Sequence, residues 1–195
     1  MATYIFDKIA REQQTAGVSG VEARDWLRDR ASEINSVNIR KEMTNRALTQ
    51  SNITNQDIGR MFMYFYTAKT KDKLPYWDRF PCIFVVDVTA DGFTGINLHY
   101  LSPLYRARLM DSLYTIQRND GLRKSKKLRM NYQLLSSAAK FRWFKPTFKK
   151  YLRSQVRSRY LWVPAESWDV ALMLPTQRFV RTTKNRVWRD SRNAF

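Results

Sequence analysis

Large apolar side chains recur at helical spacing near the start of the chain. Tyr4, Ile5 and Ile9 lie about a turn apart in a first segment that stops at Ala16-Gly17. Ser19 and Glu22 have the spacing of a capping box, and Ala23, Trp26, Leu27 and Ile34 line one side of the helix that follows. Residues 35–58 are rich in Asn, Thr, Ser and Gln, which predicts an extended arm or linker with at most a short helix near 38–48. From Gly59 the pattern shortens. Met61-Phe-Met-Tyr-Phe-Tyr66 is apolar or aromatic throughout, as a strand buried on both faces is. Residues 81–88 and 92–100 predict two more strands joined at Asp91-Gly92, a strong hairpin signal. In the second, Phe93, Gly95, Asn97 and His99 share one face, and Thr94, Ile96, Leu98 and Tyr100 the other.

A helical period returns after Ser102-Pro103, where a cap and a first-turn proline precede Tyr105, Leu109, Leu113 and Ile116. Residues 122–129 read as a basic connector and 131–140 as a short helix carrying Tyr132, Leu135 and Ala139. Pro146 opens a predicted helix running to about 158, with Phe148, Tyr151, Leu152 and Val156 on one face. Residues 160–163 predict a strand and 165–174 a helix. The last residues, with Arg178, Arg181, Lys184, Arg186 and Trp188, show no strong period. The fold class that follows is α+β: a small curved antiparallel sheet, short enough for an SH3-like barrel, with packed helices and an N-terminal helical arm. Three regions are expected: a helical arm and linker at 1–58, an α+β core with a basic helix at 59–178, and a basic C-terminal arm at 179–195.

Charge changes this picture more than composition does. The chain has 195 residues, 44% of them apolar, and a net charge of +18, enough apolar content for a real core. Residues 118–160 hold fourteen Lys and Arg against the single acid Asp120. Cations crowded this way repel one another on folding, so an uneven field of this kind points to a polyanionic partner. In the predicted helix at 146–158, Lys149, Arg153 and Arg157 stand four apart, with Lys145 in line before them and Lys150 alongside. A rise of about 1.5 Å per residue spaces that row at about 6 Å. Such a row suits phosphates, which bind with steep salt dependence and little sequence preference. Aromatic residues are set among these cations; Trp143, beside Arg142, is the ring assigned to stacking on exposed bases, while Phe141 and Phe144 are assigned to the core. The nucleic-acid-binding set is therefore Arg142, Trp143, Lys145, Lys149, Lys150, Arg153 and Arg157. A second reading sets the same cations against an acidic neighbouring protein.

No catalytic constellation is visible. His99 is the only histidine and Cys82 the only cysteine, so neither a multi-histidine metal site, a cysteine cluster nor a hydrolase triad can be assembled from this chain. His99 reads as a hydrogen-bonded structural residue and Cys82 as a buried thiol. Asp87 and Asp91 are the acids a magnesium-dependent nuclease would draw on, but Asp91 is explained by the hairpin, and no third acid follows at a recognisable spacing. No phosphate-cradling glycine loop occurs. No catalytic residue, cofactor, metal, small-molecule substrate or membrane contact is expected, and a single cysteine with no apolar span or signal pattern in view fits a protein made in a reducing compartment.

The block Met63-Tyr-Phe-Tyr-Thr-Ala-Lys-Thr-Lys-Asp-Lys-Leu-Pro-Tyr-Trp-Asp-Arg-Phe-Pro81 and the run Gly95-Ile-Asn-Leu-His-Tyr-Leu101 resemble small virion proteins of contractile-tailed, T-even-like bacteriophages. Lys140-Phe-Arg-Trp-Phe-Lys-Pro146 and Trp168-Asp-Val-Ala-Leu-Met-Leu-Pro175 fit the same pattern, and the resemblance spans most of the chain. Within these proteins it is nearest the group that protects DNA ends and completes the head. The resemblance implies a non-enzymatic virion protein, assembled in the host cytoplasm, that binds the ends of packaged double-stranded DNA and shields them from exonuclease. Portal, neck or baseplate proteins are its implied neighbours, and a neck, tail or baseplate subunit is the alternative.

Overall fold

The computed structural model describes residues 49–193 apart from 118, 139, 142–143 and 169–175, together with Glu12 and residues 15–17. Ala16 N–H donates to the Glu12 carbonyl (2.9 Å), and Gly17 turns to φ +64°, the left-handed conformation glycine favours at a helix stop. The remainder of the two predicted N-terminal helices lies outside the described residues, as do residues 35–48 and most of the predicted helix at 165–174.

The strands are β1 (Thr49–Gln50), β2 (Met61–Met63), β3 (Trp77–Asp78), β4 (Cys82–Val88), β5 (Gly92–Asn97), β6 (Phe148–Leu152), β7 (Tyr160–Val163) and β8 (Phe179–Val180). The described α-helices are α1 (Pro103–Gln117), α2 (Lys124–Ala138) and α3 (Lys184–Asn193). Six strands form one sheet in the order β1-β7-β2-β4-β5-β6, and β3 and β8 form a separate ribbon. Every pairing is antiparallel. The fold is α+β as the pattern predicts, but the sheet stays open rather than closing into an SH3-like barrel. It curls far enough that the chain leaving β6 meets the extension of β2, where Tyr66 bridges Val156 and Arg157 N–H donates to the Phe65 carbonyl (2.8 Å). A bulge between Val85 and Asp87 in β4 adds to that curl.

Alternation along the strands divides the core in two. Met61, Met63, Phe84, Ile96, Leu161 and Val163 face Leu109, Met110 and Leu113 of α1, Leu135 of α2 and Trp168. Trp168 meets Phe84 edge-on at 4.8 Å and donates its indole N–H to the Val163 carbonyl (3.1 Å). The opposite face gathers Phe62, Tyr64, Ile83, Val85, Phe93, Tyr151 and Tyr160. At its centre the Tyr64 ring meets Phe93, Tyr151 and Tyr160 edge-on at 5.2–5.6 Å, a quadrupole-favoured geometry. Each fully buried large side chain here contributes roughly 1.5–3 kcal/mol. Gly92 is needed for a different reason: a Cβ there would lie 2.0 Å from the Tyr151 carbonyl oxygen, so only glycine lets β5 start against β6.

Four elements depart from their predicted form. Residues 148–152, expected as the core of a basic helix, form β6. Their i, i+3, i+4, i+8 apolar spacing satisfies a helix, but pairing with β5 from Gly92↔Leu152 to Ile96↔Phe148 overrides it. Short 3-10 turns, Lys145–Thr147 and Arg153–Gln155, flank the strand. From Lys124 the basic connector expected at 122–129 is instead the first turns of α2, held by Leu128 against Gly59 and by buried Asn131, Leu135 and Ala138. Residues 49–58, expected in the arm, belong to the core: β1 pairs with β7, Ile53 is fully buried, and Asp57 accepts from Thr54 N–H (2.8 Å) in a capping box. The C-terminal arm is likewise structured. Phe179–Val180 pairs with β3, and α3 packs on residues 98–100 with the Trp188 indole donating to the His99 carbonyl (2.9 Å).

Candidate nucleic-acid interface

The buried polar network beside the ribbon shows what the single histidine does. His99 sits in a 3-10 turn, Leu98–Tyr100, just after β5 rather than in mid-strand. Its Nδ1 lies 2.6 Å from Asp78 Oδ2, and its Nε2 lies 3.0 Å from the Thr176 hydroxyl. Burial would raise the Asp78 carboxyl, but the His99 hydrogen bond and those from Asn97 Nδ2 and Phe80 N–H hold it below the usual range. Burial lowers His99, against the pull of Asp78, so the ring is neutral with its proton on Nδ1, shared with Asp78. With the hydroxyl of Thr176 donating to Nε2, the ring has no free edge for proton transfer. Cys82 lies buried in β4, where burial pushes its thiol up to about 12. Among the described residues no three His, Cys, Asp or Glu side chains cluster as metal ligands do, and no helix is long and apolar enough to cross a membrane.

The predicted cation row at 145–157 does not exist as a row, because a strand turns neighbouring side chains to opposite faces. Lys149 stands opposite Gly95 in the register, and its ammonium lies 4.3 Å from the centroid of the Tyr100 ring. Burial lowers its pKa. Lys150, on the other face, pairs with Asp91 at 3.2 Å, both side chains being well exposed. Arg153 is committed to structure: its guanidinium donates to the carbonyls of Thr89 (2.5 Å), Ala90 (2.8 Å) and Ile53 (3.1 Å) and to Asn52 Oδ1 (2.9 Å). Arg159 similarly donates to the Thr49 hydroxyl and carbonyl. Lys145 and Arg157 remain exposed. Arg142 and Trp143 lie outside the described residues. Of the two neighbouring rings assigned to the core, Phe144 packs there, whereas Phe141 is 60% exposed.

Two cation groups come from elsewhere. Arg123, Lys124, Lys126 and Arg129 are exposed at the start of α2, whose first turn contains no acid. None of the four has an ion pair among the described residues. Arg123, Lys124 and Lys126, at or within the first turn, are disfavoured at this positive end of the helix by about 0.3–1 kcal/mol each, a cost an external anion removes. The second group lines a cavity of about 540 Å³ between Arg79, Arg178 and Lys184, with Thr182 and Thr183 in its wall. Thr183 caps α3 through its hydroxyl, which accepts from Arg186 N–H (3.4 Å), and the Thr182 hydroxyl is buried without a partner among the described residues. Sequence reading placed no site here, because these cations come from segments a hundred residues apart. Pairing of β3 with β8 and the Arg79 N–H to Arg178 carbonyl bond (2.8 Å) unite them. The basic run at 122–129 was visible, but only its helical form shows how the cations are presented.

A third feature is an aromatic pocket of about 380 Å³ whose walls include Tyr66, Tyr76, Trp77, Tyr100 and Tyr151, with Lys149 among them.

These features define the class: a basic α+β protein with a curled antiparallel sheet, whose exposed cations are gathered at loop and helix ends. The chain matches the family model of the phage T4 terminal DNA protecting protein over residues 20–191, and it belongs to that family. No curated protein and no solved structure matches it.

Proposed function

We propose that this protein binds the ends of packaged double-stranded DNA in the phage particle, protects them from exonuclease and completes the head, without catalysis. The observation that carries this reading is the exposed cluster Arg123, Lys124, Lys126 and Arg129 at the acid-free start of α2, taken together with membership of a terminal-DNA-protecting family. Lys145, Lys150 and Arg157 join that cluster at phosphates, and Arg142 and Trp143 remain in the contact set on their sequence positions. Lys149, predicted in the same set, is turned away from that cluster to an aromatic pocket, and Arg153 is taken up in tying the β4–β5 hairpin to residues 52–53.

The protein is assembled in the host cytoplasm and carried in the virion. Other virion proteins of the portal, neck or baseplate are its neighbours, an assignment supported by Leu104 (59% exposed), Tyr132 and Phe141 on and after α1 and α2. The same exposed apolar residues favour the second reading, a neck, tail or baseplate subunit meeting acidic proteins. Exonuclease digestion of a linear duplex separates the two. End binding predicts protection at low salt that falls steeply as salt rises; a duplex digested at the same rate with and without protein, at low salt, rejects it.

A further inference from the structure

The aromatic pocket has a composition that phosphate-backbone binding does not explain. Tyr66, Tyr76, Trp77 and Tyr100 supply ring surfaces around a space of about 380 Å³, within the size range of small-ligand sites. The Tyr76 and Tyr100 rings lie 6.2 Å apart, and Phe179 meets both edge-on. The polar groups at the pocket are mostly donors. The Trp77 indole nitrogen is buried and has no partner among the described residues. Lys149 faces Tyr100 without a carboxylate partner there, and Lys69 adds a second cation to the wall. The one acid in the wall, Asp78, is already committed, accepting from His99, Asn97, Phe80 N–H and Arg178 N–H. A planar ring bearing hydrogen-bond acceptors and attached to a phosphate matches this lining, which is the chemistry of a nucleotide.

Resting on the function proposed above, we infer that this pocket takes an unpaired base from the terminus of the DNA, stacking it among Tyr76, Trp77 and Tyr100 while Lys149 meets its acceptor edge or adjoining phosphate. Bases within a duplex are stacked and paired and cannot enter the pocket; a frayed or overhanging terminal base can. The pocket therefore distinguishes an end from the length of the duplex, which cations on phosphates alone do not do. The β3–β8 ribbon contributes Trp77 and Asp78 to this pocket and Phe179 and Val180 to the cavity lined by Arg79, Arg178 and Lys184, so cations for the connected strand lie beside it.

The test uses the full chain with a linear duplex bearing unpaired terminal nucleotides and a closed circular duplex of the same sequence. Wild-type protein is expected to prefer the linear form. 5-Iododeoxyuridine at the terminal position should photocross-link to Tyr76, Trp77 or Tyr100, and at an interior position it should not. Tyr76→Leu and Lys149→Met should each weaken binding of the linear form roughly tenfold, the scale of one lost base–ring stack, and leave circular DNA unchanged. Thermal melting checks each variant; should Tyr76→Leu fail to fold, Lys149→Met and the cross-link decide. Terminal cross-links mapping elsewhere, or variants that keep the preference for linear DNA, overturn the pocket assignment while end binding stands. Equal wild-type affinity for linear and circular DNA overturns the end-binding reading and the pocket assignment with it. A free deoxynucleoside monophosphate that binds as tightly as the DNA terminus also overturns the assignment, in favour of a mononucleotide site.

Discussion

The two halves of the basic region, the start of α2 and the segment around β6, look alike in composition and differ in what their cations do. Arg123, Lys124, Lys126 and Arg129 stand exposed at a helix end where the backbone itself is positive. Around β6, Lys149 lies on a tyrosine ring, Arg153 binds four oxygens and Arg159 binds Thr49. A count of charges treats these halves as equal. Binding does not, because a guanidinium already saturated by carbonyls must give up those bonds before it can meet a phosphate.

The largest expected effect is on DNA affinity. Reversing Arg123, Lys124, Lys126 and Arg129 together to Glu should lower affinity for linear duplex by more than about 100-fold and flatten the salt dependence by about 0.9 in log–log slope per lost phosphate contact. The same variant should melt no lower than the wild type, since acids suit the start of a helix. Filter binding across a salt series and a thermal melt read the two outcomes, and an unchanged slope would erase the distinction between the halves.

Arg153→Ala should show the opposite profile. Losing its hydrogen bonds should cost about 2 kcal/mol of stability, with DNA affinity changed less than about threefold. Denaturant titration beside the binding assay is sufficient, and a variant that kept its stability but lost DNA would return Arg153 to the phosphate set.

Acid sensitivity tests the buried network that positions the aromatic pocket. The folded state holds His99 below its ordinary 6.5 and Asp78 below its ordinary 3.8. Below pH 6.5 the unfolded chain takes up a proton on His99 that the folded chain refuses, so stability should decline from there until the pH passes the lowered folded value. A second loss begins below 3.8, where the unfolded Asp78 takes up a proton, and is complete once the pH has fallen through its lowered folded value. Melting temperature against pH should show the first decline in the wild type and lose it in His99→Gln.

The smallest effect belongs to the aromatic face of the sheet. The Tyr64 hydroxyl is buried and has no partner among the described residues, so Tyr64→Phe should leave stability unchanged or raise it by up to about 1 kcal/mol. A loss of more than that in a denaturant titration would mean the hydroxyl has a partner after all.

Strands β4, β5 and β7 and helix α1 were legible because each carries its own local signal: alternation with a hairpin turn, a short apolar run, or a proline-led amphipathic stripe. Residues 148–152 were not, since Phe148, Tyr151, Leu152 and Val156 fit a helix stripe as well as a strand, and only β5 alongside decides between them. The site was half legible for the same reason. A basic region was plain from residues 118–160, but the cavity at Arg79, Arg178 and Lys184 depends on pairing between β3 and β8, and the pocket depends on residues from 66 to 152.

What the sequence alone determined is the amount of charge, where along the chain it is concentrated, and the absence of the several histidines or cysteines that a multi-histidine or cysteine metal site requires. Which cations are exposed, which are spent on carbonyls and which face a ring was decided only by the tertiary structure. Charge is a property each residue carries with it, whereas availability depends on what the folded chain has brought within about 3 Å of it.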